Sequence, residues 1–555
     1  MQVVNAEHHQ GADRLTVGHE QAVRMHADIR VARQPGHVAV AAFLQPGLQV
    51  VGVHGPGPRG GNAAQIEAQP RGQDPNRGCG QFGLRHVSGF RSAVSGAFST
   101  CEYTDRVFRL SWFLPIGVPP MNLNSQTPSA GESVLAIRGG PKAVDRDLNL
   151  FKGAGLLGAE EKQAVMEVLD AQSLFRYYGP NHLGKVAAFE QALADYLGVP
   201  FALGAANGTA ALRLGLAALG VGPGDEVIVP AATFIASVGA IVASRARPVF
   251  CEVDANMLLD PEDLERCLTP LTKAIMPVHL GGKCADMDAV CDFARVHGLK
   301  VIEDAAQAVG SVHRDRPVAT IGDVGCFSFQ LEKNITSGEG GALITSDPEL
   351  YRRATIYSDQ GGQFWTSHSG VRDHFKGLQA DPIIGENLRM NEIAGAIMGC
   401  QLAKLPAVLD RIESTNGALR TGMEELAGAS LEPRAEGRDR HSVWVIDYAE
   451  SAEDASERIE WLRAEGLPAG KIYGGVPVYA ADQVLNQRLA ARGCPFDCPA
   501  YFPEPVEYSM GMCPRSEDLM NRSIVLNVGP LWSEEDLDDV LTGATKVYRA
   551  TTNSG

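Results

Sequence analysis

The feature that most constrains the fold of this chain is an alternation of short apolar strands and helices between residues 200 and 310. Strands that alternate with helices favour a mainly parallel sheet covered by helices, with ligands bound at the carboxyl ends of the strands. We therefore predict an α/β fold with a large domain over residues 161–405. The predicted strands are 201–205, 226–231, 247–253, 274–278 and 300–303, and predicted helices lie at 234–244 and 286–297.

The last third of the chain repeats this alternation on a smaller scale, so we predict a small α/β domain over residues 406–555. The long helix that leads into it from Met390 is expected to kink or break at Pro406, because proline removes a backbone donor. Its predicted strands are 442–448 and 524–527, and its predicted helices are 452–465 and 534–549.

Composition excludes several classes of function. Hydrophobic residues make up 45% of the 555 residues and charged residues 21%, which is typical of globular proteins. The net charge of −17 argues against nucleic-acid binding and against a polybasic membrane anchor. No apolar run reaches 18 residues, so we expect no membrane span.

Cysteine usage bears on location and on metal binding. Most of the eleven cysteines are scattered singly, which predicts reduced thiols in a cytoplasmic protein. Cys494, Cys498 and Cys513 lack the spacing and the nearby histidine of a zinc site. We therefore predict that the protein has no metal site.

Residues 1–120 differ from the rest of the chain. They contain eleven arginines against eight acidic residues, seven of the fourteen histidines, and no lysine. Normal composition begins near Met121, and residues 121–160 read as a mostly irregular N-terminal arm. We predict that residues 1–120 are a disordered or wrongly assigned extension. A basic binding appendage is the alternative, although the segment lacks a consistent core pattern.

A polar loop between two short apolar strands carries Lys333 and glycines at 338, 340 and 341. Glycines so placed let the backbone turn sharply or approach another group closely. Partial burial lowers the pKa of a lysine, and its free amine can then condense with an aldehyde. The alternative is that Lys333 is an ordinary solvated charge.

Two further elements carry polar groups to the same edge of the predicted sheet. Asp304 ends a strand, where it can pair with a ring nitrogen or simply cap a helix. The segment Asn207-Gly208-Thr209-Ala210 joins a strand to a helix, and free N–H groups at a helix start can bind phosphate. Ser328 offers a hydroxyl to that phosphate. An ordinary capped helix is the alternative for the Gly-Thr pair.

Together these elements resemble the DegT/DnrJ/EryC1/StrS family of pyridoxal phosphate (PLP)-dependent sugar aminotransferases. The resemblance covers roughly residues 150–550. It implies the type I PLP-dependent aminotransferase fold and PLP as the cofactor. The motifs that carry it are Glu303-Asp304-Ala305-Ala306-Gln307, Ser328-Phe329, Lys333-Asn334, Gly338-Glu339-Gly340-Gly341, and Asn207 to Leu212.

The resemblance also implies roles for individual residues. Lys333 would be the catalytic lysine that holds PLP, and Asn387 would reach the PLP phosphate of a neighbouring subunit, which requires a homodimer with shared active sites. Asn387 could equally cap the following helix. The other implied cofactor-binding residues are Asp304, Gln307, Gly208, Thr209, Ala210, Phe234 and Ser328.

Three residues are candidates for substrate binding, namely Tyr178, His279 and Arg389. Tyr178 could instead pack in the core, and a lone histidine at a strand end is often structural. The segment that contains His279 departs from the family pattern His-Leu-Tyr-Gly, since Gly281 stands near the tyrosine position. Aromatic contacts expected at that position are therefore in doubt.

The expected activity is transfer of an amino group from an amino acid, glutamate or glutamine, to a nucleotide-linked keto sugar. One alternative acceptor is a keto cyclitol (an inosose). Another alternative, from a different class of function, is a non-catalytic PLP-binding regulatory module. Relatives that dehydrate their substrate replace the lysine with histidine, so Lys333 argues against dehydration here.

Overall fold

The computed structural model describes residues 28–34, 37–43, 134–361 and 383–552. The chain divides into two compact units, residues 1–121 and residues 122–555. In the first unit, β1 (Asp28–Gln34) and β2 (His37–Phe43) pair as an antiparallel hairpin. The remainder of the predicted extension, 1–120, lies outside the described residues.

The second unit contains the predicted alternation of strands and helices. Its strands are β3 (Phe201–Ala205), β4 (Glu226–Pro230), β5 (Arg247–Cys251), β6 (Thr272–Ile275), β7 (Lys300–Asp304), β8 (Val312–His313), β9 (Arg316–Pro317), β10 (Val324–Ser328), β11 (Gly341–Thr345), β12 (Trp444–Tyr448), β13 (Ala469–Gly470) and β14 (Ser523–Asn527). Its α-helices are α1 (Ala159–Asp170), α2 (Lys185–Leu197), α3 (Gly208–Leu219), α4 (Ile235–Ala243), α5 (Leu264–Cys267), α6 (Met287–His297), α7 (Pro348–Ser358), α8 (Glu392–Glu424), α9 (Ala452–Ala464), α10 (Asp482–Leu485), α11 (Pro514–Arg522) and α12 (Glu534–Thr552).

A seven-stranded sheet with the order β3-β11-β10-β7-β6-β4-β5 forms the centre of this unit. Every pairing within it is parallel except the two that β11 makes, which are antiparallel. Every residue of β4, β10 and β11 is buried, as expected for strands covered by helices on both faces. The predicted α/β fold is confirmed.

The register of the sheet brings three chain segments to one edge. Asp304 at the end of β7 pairs with Cys326 of β10, and Ser328 at the end of β10 pairs with Gly341. Gly341 in turn pairs with Ala205 at the end of β3. Since β3, β7 and β10 run in the same direction, their carboxyl ends meet here, where doubly wound sheets bind ligands.

The C-terminal part is a three-stranded sheet of order β12-β14-β13 packed against α8, α9 and α12. Helix α8 continues through Pro406, so the helix does not break there; a kink at Pro406 stays a prediction. Proline costs a helix roughly 3 kcal/mol, but turns on both sides of Pro406 are anchored by buried residues. These include Leu402, Leu405, Val408 and Leu409.

Among the described helices, α8 is long and apolar enough to cross a membrane, but 56% of its most apolar window is buried in the fold. Such burial is what a core helix shows.

The cysteine pattern differs from expectation at one place, because Cys494 and Cys498 form a disulfide. A spacing of four residues brings their Cα atoms to 4.7 Å, within disulfide reach. The seven other cysteines described are free.

Candidate active site

The carboxyl ends of the central strands open into a cavity of about 1500 Å³. Eight of the predicted site residues line it: Gly208, Thr209, Ala210, Phe234, Asp304, Gln307, Ser328 and Lys333. We call the side formed by Asp304, Ser328, Lys333 and residues 208–210 the lysine wall. Another side comes from the C-terminal part of the chain, and we call it the tryptophan wall; it consists of Val443, Trp444, Tyr473, Asn527 and Val528.

Lys333 lies in the loop between β10 and β11, and its backbone is held from both sides. Its N–H donates to the Gln330 carbonyl at 3.0 Å, and its carbonyl accepts from the Gly153 N–H at 3.4 Å. Burial lowers the pKa of the Lys333 amine, while the carboxylates of Asp304 and Glu332 oppose that shift. The amine therefore loses its proton more readily than a surface lysine, as a nucleophile for an aldehyde requires.

Asp304 is 4% exposed at the end of β7. Its carboxylate accepts a hydrogen bond from Ser237 Oγ at 2.7 Å and another from the Ala306 N–H at 3.1 Å. Thr233 Oγ1 lies 2.7 Å from Ser237 Oγ and extends this chain of hydroxyls. Burial raises the pKa of Asp304, and the hydrogen bonds and Lys333 oppose the rise. A cation placed against this carboxylate would relieve its desolvation, which fits a protonated pyridine nitrogen.

The predicted phosphate seat is the start of α3. Asn207 caps the helix by accepting the Ala210 N–H at 2.8 Å, and the first N–H groups of a helix have no partner inside it. Gly208 packs so tightly against β10 that a Cβ there would lie 2.7 Å from Ser328 Cβ. Glycine is therefore required for Ser328 and the helix start to lie side by side, as phosphate binding by both would need.

Two further residues of the predicted cofactor set, Phe234 and Gln307, line the cavity where they could bind the face or edge of a ring. Phe234 precedes α4 and is 56% exposed while lining the cavity, so it is not a buried helix-start residue. Gln307 accepts the Gly281 N–H at 3.2 Å and donates to the Tyr473 hydroxyl at 2.8 Å. Through Tyr473, Gln307 connects the segment that follows β7 to the tryptophan wall.

His279 does not line the cavity. It is fully buried, and its Nδ1 accepts the Ala285 N–H at 3.1 Å. Its Nε2 therefore carries the proton and donates to Glu303 at 3.0 Å. Both ring nitrogens are occupied by the protein, so this placement gives His279 a structural role instead of the predicted contact with substrate.

Asn387, Tyr178 and Arg389 also lie outside the cavity lining of this chain. The backbone of Asn387 pairs with that of Asp359. Tyr178 is 52% exposed, so it is not a core-packed aromatic. Arg389 forms an ion pair with Asp359, and its guanidinium lies 5.1 Å from the centre of the Phe175 ring. The predicted substrate-binding roles of Tyr178 and Arg389 remain predictions.

Sequence reasoning did not single out Ser237, Tyr473, Trp444 or Lys152, although all four line the cavity. The sequence could have indicated Ser237, because it follows the predicted start of α4 at Phe234 by one helical turn and therefore lies near the same edge of the sheet. Lys152 lies in the arm, and its ammonium donates to the Glu332 carbonyl at 3.1 Å. Burial, and then repulsion from Lys333, lowers the pKa of Lys152 to about 8.

Comparisons with known proteins agree with this geometry. The model of the DegT/DnrJ/EryC1/StrS aminotransferase family matches residues 156–544. The chain is 38% identical to GDP-perosamine synthase of Caulobacter vibrioides over 52% of this chain and 74% of that protein. It is 34% identical to L-glutamine:2-deoxy-scyllo-inosose aminotransferase of Streptomyces fradiae over 65% of this chain and 85% of that protein.

A solved structure extends the agreement to the fold. The crystal structure of S. venezuelae DesV in complex with a ketimine intermediate matches with a TM-score of 0.58 and 32% identity, over 70% of this chain and 94% of DesV. The predictions of an enzyme, of its fold and of its cofactor are confirmed. The chain belongs to the DegT/DnrJ/EryC1/StrS aminotransferase family and is a PLP-dependent aminotransferase.

Proposed function

We propose that this enzyme transfers an amino group from glutamate or glutamine to a keto sugar attached to a nucleotide. The observation that carries the proposal is that Lys333 and Asp304 line one cavity large enough, at about 1500 Å³, for a cofactor together with a sizeable acceptor. Similarity to GDP-perosamine synthase supports a nucleotide-linked substrate. We further propose that the enzyme acts in the cytoplasm.

The residues of the cavity divide the chemistry among them. When bound, PLP supplies an electron sink for the carbon that carries the donor's amino group. Asp304 would hold the ring nitrogen, Phe234 would cover the ring, and Ser328 with the start of α3 would hold the phosphate. The Nζ atom of Lys333, whose pKa is lowered by burial, accepts the proton from the donor's α-carbon and returns it as a general acid.

The active unit in this proposal is a homodimer. Asn387 does not line the cavity of its own chain, which supports its predicted contact with the phosphate of a neighbouring subunit. A closed two-fold dimer would give each cavity one Asn387 from the other chain. The oligomeric state is thus part of the site.

A keto cyclitol is the second candidate acceptor, because an inosose aminotransferase is similar over 85% of its own length. A cyclitol carries no phosphate, whereas a nucleotide sugar carries a diphosphate that needs cationic groups. Among the described lining residues, the lysines and arginine are Lys152, Arg213 and Lys333. Arg213 is already paired with Glu386, so Lys152 is the described cation best placed for such a phosphate.

The experiment that tests this proposal measures the reaction with the amino donor and the reaction with the keto acceptor separately. The enzyme is first aminated with glutamate or glutamine, and the loss of its visible absorbance is recorded. The aminated enzyme is then offered keto sugars linked to dTDP, GDP or UDP, and separately inososes, while the return of absorbance is followed. Recovery with inososes alone would overturn the nucleotide-sugar proposal in favour of the cyclitol, and no response to any amino acid would contradict both.

A further inference from the structure

Trp444, a residue of the tryptophan wall, packs on the backbone of Gly281. Gly281 has a φ of +59°, in the left-handed region that favours glycine. A Cβ built at Gly281 would lie 2.4 Å from Trp444 Cε3 and 2.6 Å from Cδ2. The indole of Trp444 therefore fills the space that any side chain at position 281 would need.

The position of Trp444 is fixed by contacts on each side of its backbone. Its carbonyl accepts hydrogen bonds from Asn416 Nδ2 at 3.0 Å and from Ser442 Oγ at 2.9 Å. The neighbouring Val443 N–H donates to the Gly281 carbonyl at 2.8 Å. Trp444 also packs against a buried apolar cluster that includes Leu280. A side chain held this way presents a rigid surface at little entropic cost on binding.

Trp444 differs from two other tryptophans of the C-terminal part. Trp461 and Trp532 are 8% and 6% exposed and belong to the core of that part. Trp444 is only partly buried and lines the cavity, together with the hydroxyl-bearing Tyr473 and the amide-bearing Asn527. An aromatic ring flanked by polar groups suits a ligand with an apolar ring face and polar edges. A sugar or cyclitol ring has both.

We propose that Trp444 determines acceptor specificity: the sugar or cyclitol ring of the keto acceptor packs against its indole, which takes the place of a side chain at position 281. This inference rests on the proposed function only in that the acceptor is a polyhydroxylated ring. It does not depend on whether that ring carries a nucleotide. The amino donor, a small amino acid whose α-proton Lys333 would move, has no part in the contact.

The test compares the two half-reactions of the holoenzyme. In Trp444→Ala we expect the KM for the acceptor to rise about tenfold, while the rate and KM of the donor half-reaction stay within about twofold of wild type. Trp444→Phe should recover most of the loss, because it keeps an aromatic surface. Binding of the aminated product to the apoprotein, measured by calorimetry, should weaken in parallel.

Gly281→Ala supplies a second, reciprocal variant. Its methyl group would displace the indole, so it should raise the acceptor KM in the wild-type background and add little in the Trp444→Ala background. An exposed substitution such as Val296→Ala (69% exposed) is the matched control. Equal losses in both half-reactions would give Trp444 a purely structural role and overturn the proposal, as would an unchanged acceptor KM. The test can use any keto acceptor that the wild-type enzyme accepts. Failure of the nucleotide-sugar proposal can therefore be distinguished from failure of the proposal for Trp444.

Discussion

The lysine wall and the tryptophan wall face the same cavity but differ in how the chain builds them. The lysine wall comes from the ends of neighbouring strands, and its polar groups lie within short motifs of the sequence. The tryptophan wall comes from segments that only the C-terminal fold brings to the cavity. We therefore expect the lysine wall to carry the chemistry shared by all donors and acceptors, and the tryptophan wall to select a particular acceptor.

The largest expected effect comes from a substitution of Lys333 in the lysine wall. If Lys333 has the roles proposed above, Lys333→Ala removes both the amine that binds the cofactor covalently and the base that moves the α-proton, so turnover should fall at least about 1000-fold. Mass spectrometry after borohydride reduction should find the cofactor attached to wild type and to no lysine of the variant. Turnover comparable to wild type would show that another group does this work.

Asp304→Asn should have the next largest effect. The amide keeps the shape of the side chain and loses the charge that would hold a protonated ring nitrogen, so turnover should fall about 100-fold. Ser237→Ala removes one hydrogen bond to the same carboxylate and should cost no more than about tenfold. A Ser237 variant as impaired as the Asp304 variant would mean that the hydroxyl, and not the carboxylate, makes the essential contact.

Lys333 and Asp304 are residues that the sequence allowed us to identify, and the reason is local. Asp304 ends a short apolar strand, and Lys333 lies in the loop that follows another, so secondary structure alone places them at one sheet edge. Trp444 and Gly281 are far apart in sequence, and no local pattern indicates that an indole fills the space above a glycine. His279 shows the opposite failure, since its position in a motif suggested substrate binding while burial beside Glu303 gives it a structural role.

The same reasoning explains the errors in the fold. The expectation of a break at Pro406 was based on one lost backbone hydrogen bond. The packing of α8 against α1 and α2 stabilises the helix as a whole, and the helix continues. The Cys494–Cys498 disulfide also escaped prediction, because a count of scattered cysteines carries no information on which pairs approach each other. Tertiary contacts decide both features.

A complementation experiment tests whether the lysine wall is complete within one chain. Asn387→Ala alone should reduce turnover about tenfold by weakening phosphate binding. When Lys333→Ala and Asn387→Ala chains are co-expressed with different tags, a mixed dimer with shared sites has one cavity carrying both substitutions and one carrying neither. The purified mixed dimer should regain about half of wild-type activity. Activity no higher than that of the Asn387 variant would contradict the shared site.

The smallest expected effect concerns Lys152, at the margin of the lysine wall. Burial, and then repulsion from Lys333, lowers its pKa from 10.5 to about 8 in the folded protein. Between these values the unfolded chain binds more protons than the folded one, so this lysine makes the free energy of unfolding rise with pH from about 8 to 10.5. Below pH 8 it is charged in both states, and its desolvation cost is fully present.

Lys152→Met removes the desolvation cost of the ammonium and keeps a side chain of similar length. Because the side chain is only partly buried, we expect the apoprotein variant to be more stable than wild type by about 1 kcal/mol at pH 7, with the difference declining toward pH 10. Urea unfolding at both pH values measures it, and Lys273→Met, on a lysine exposed in β6, is the matched control. A constant difference across this range would place the ammonium of Lys152 in solvent, away from Lys333.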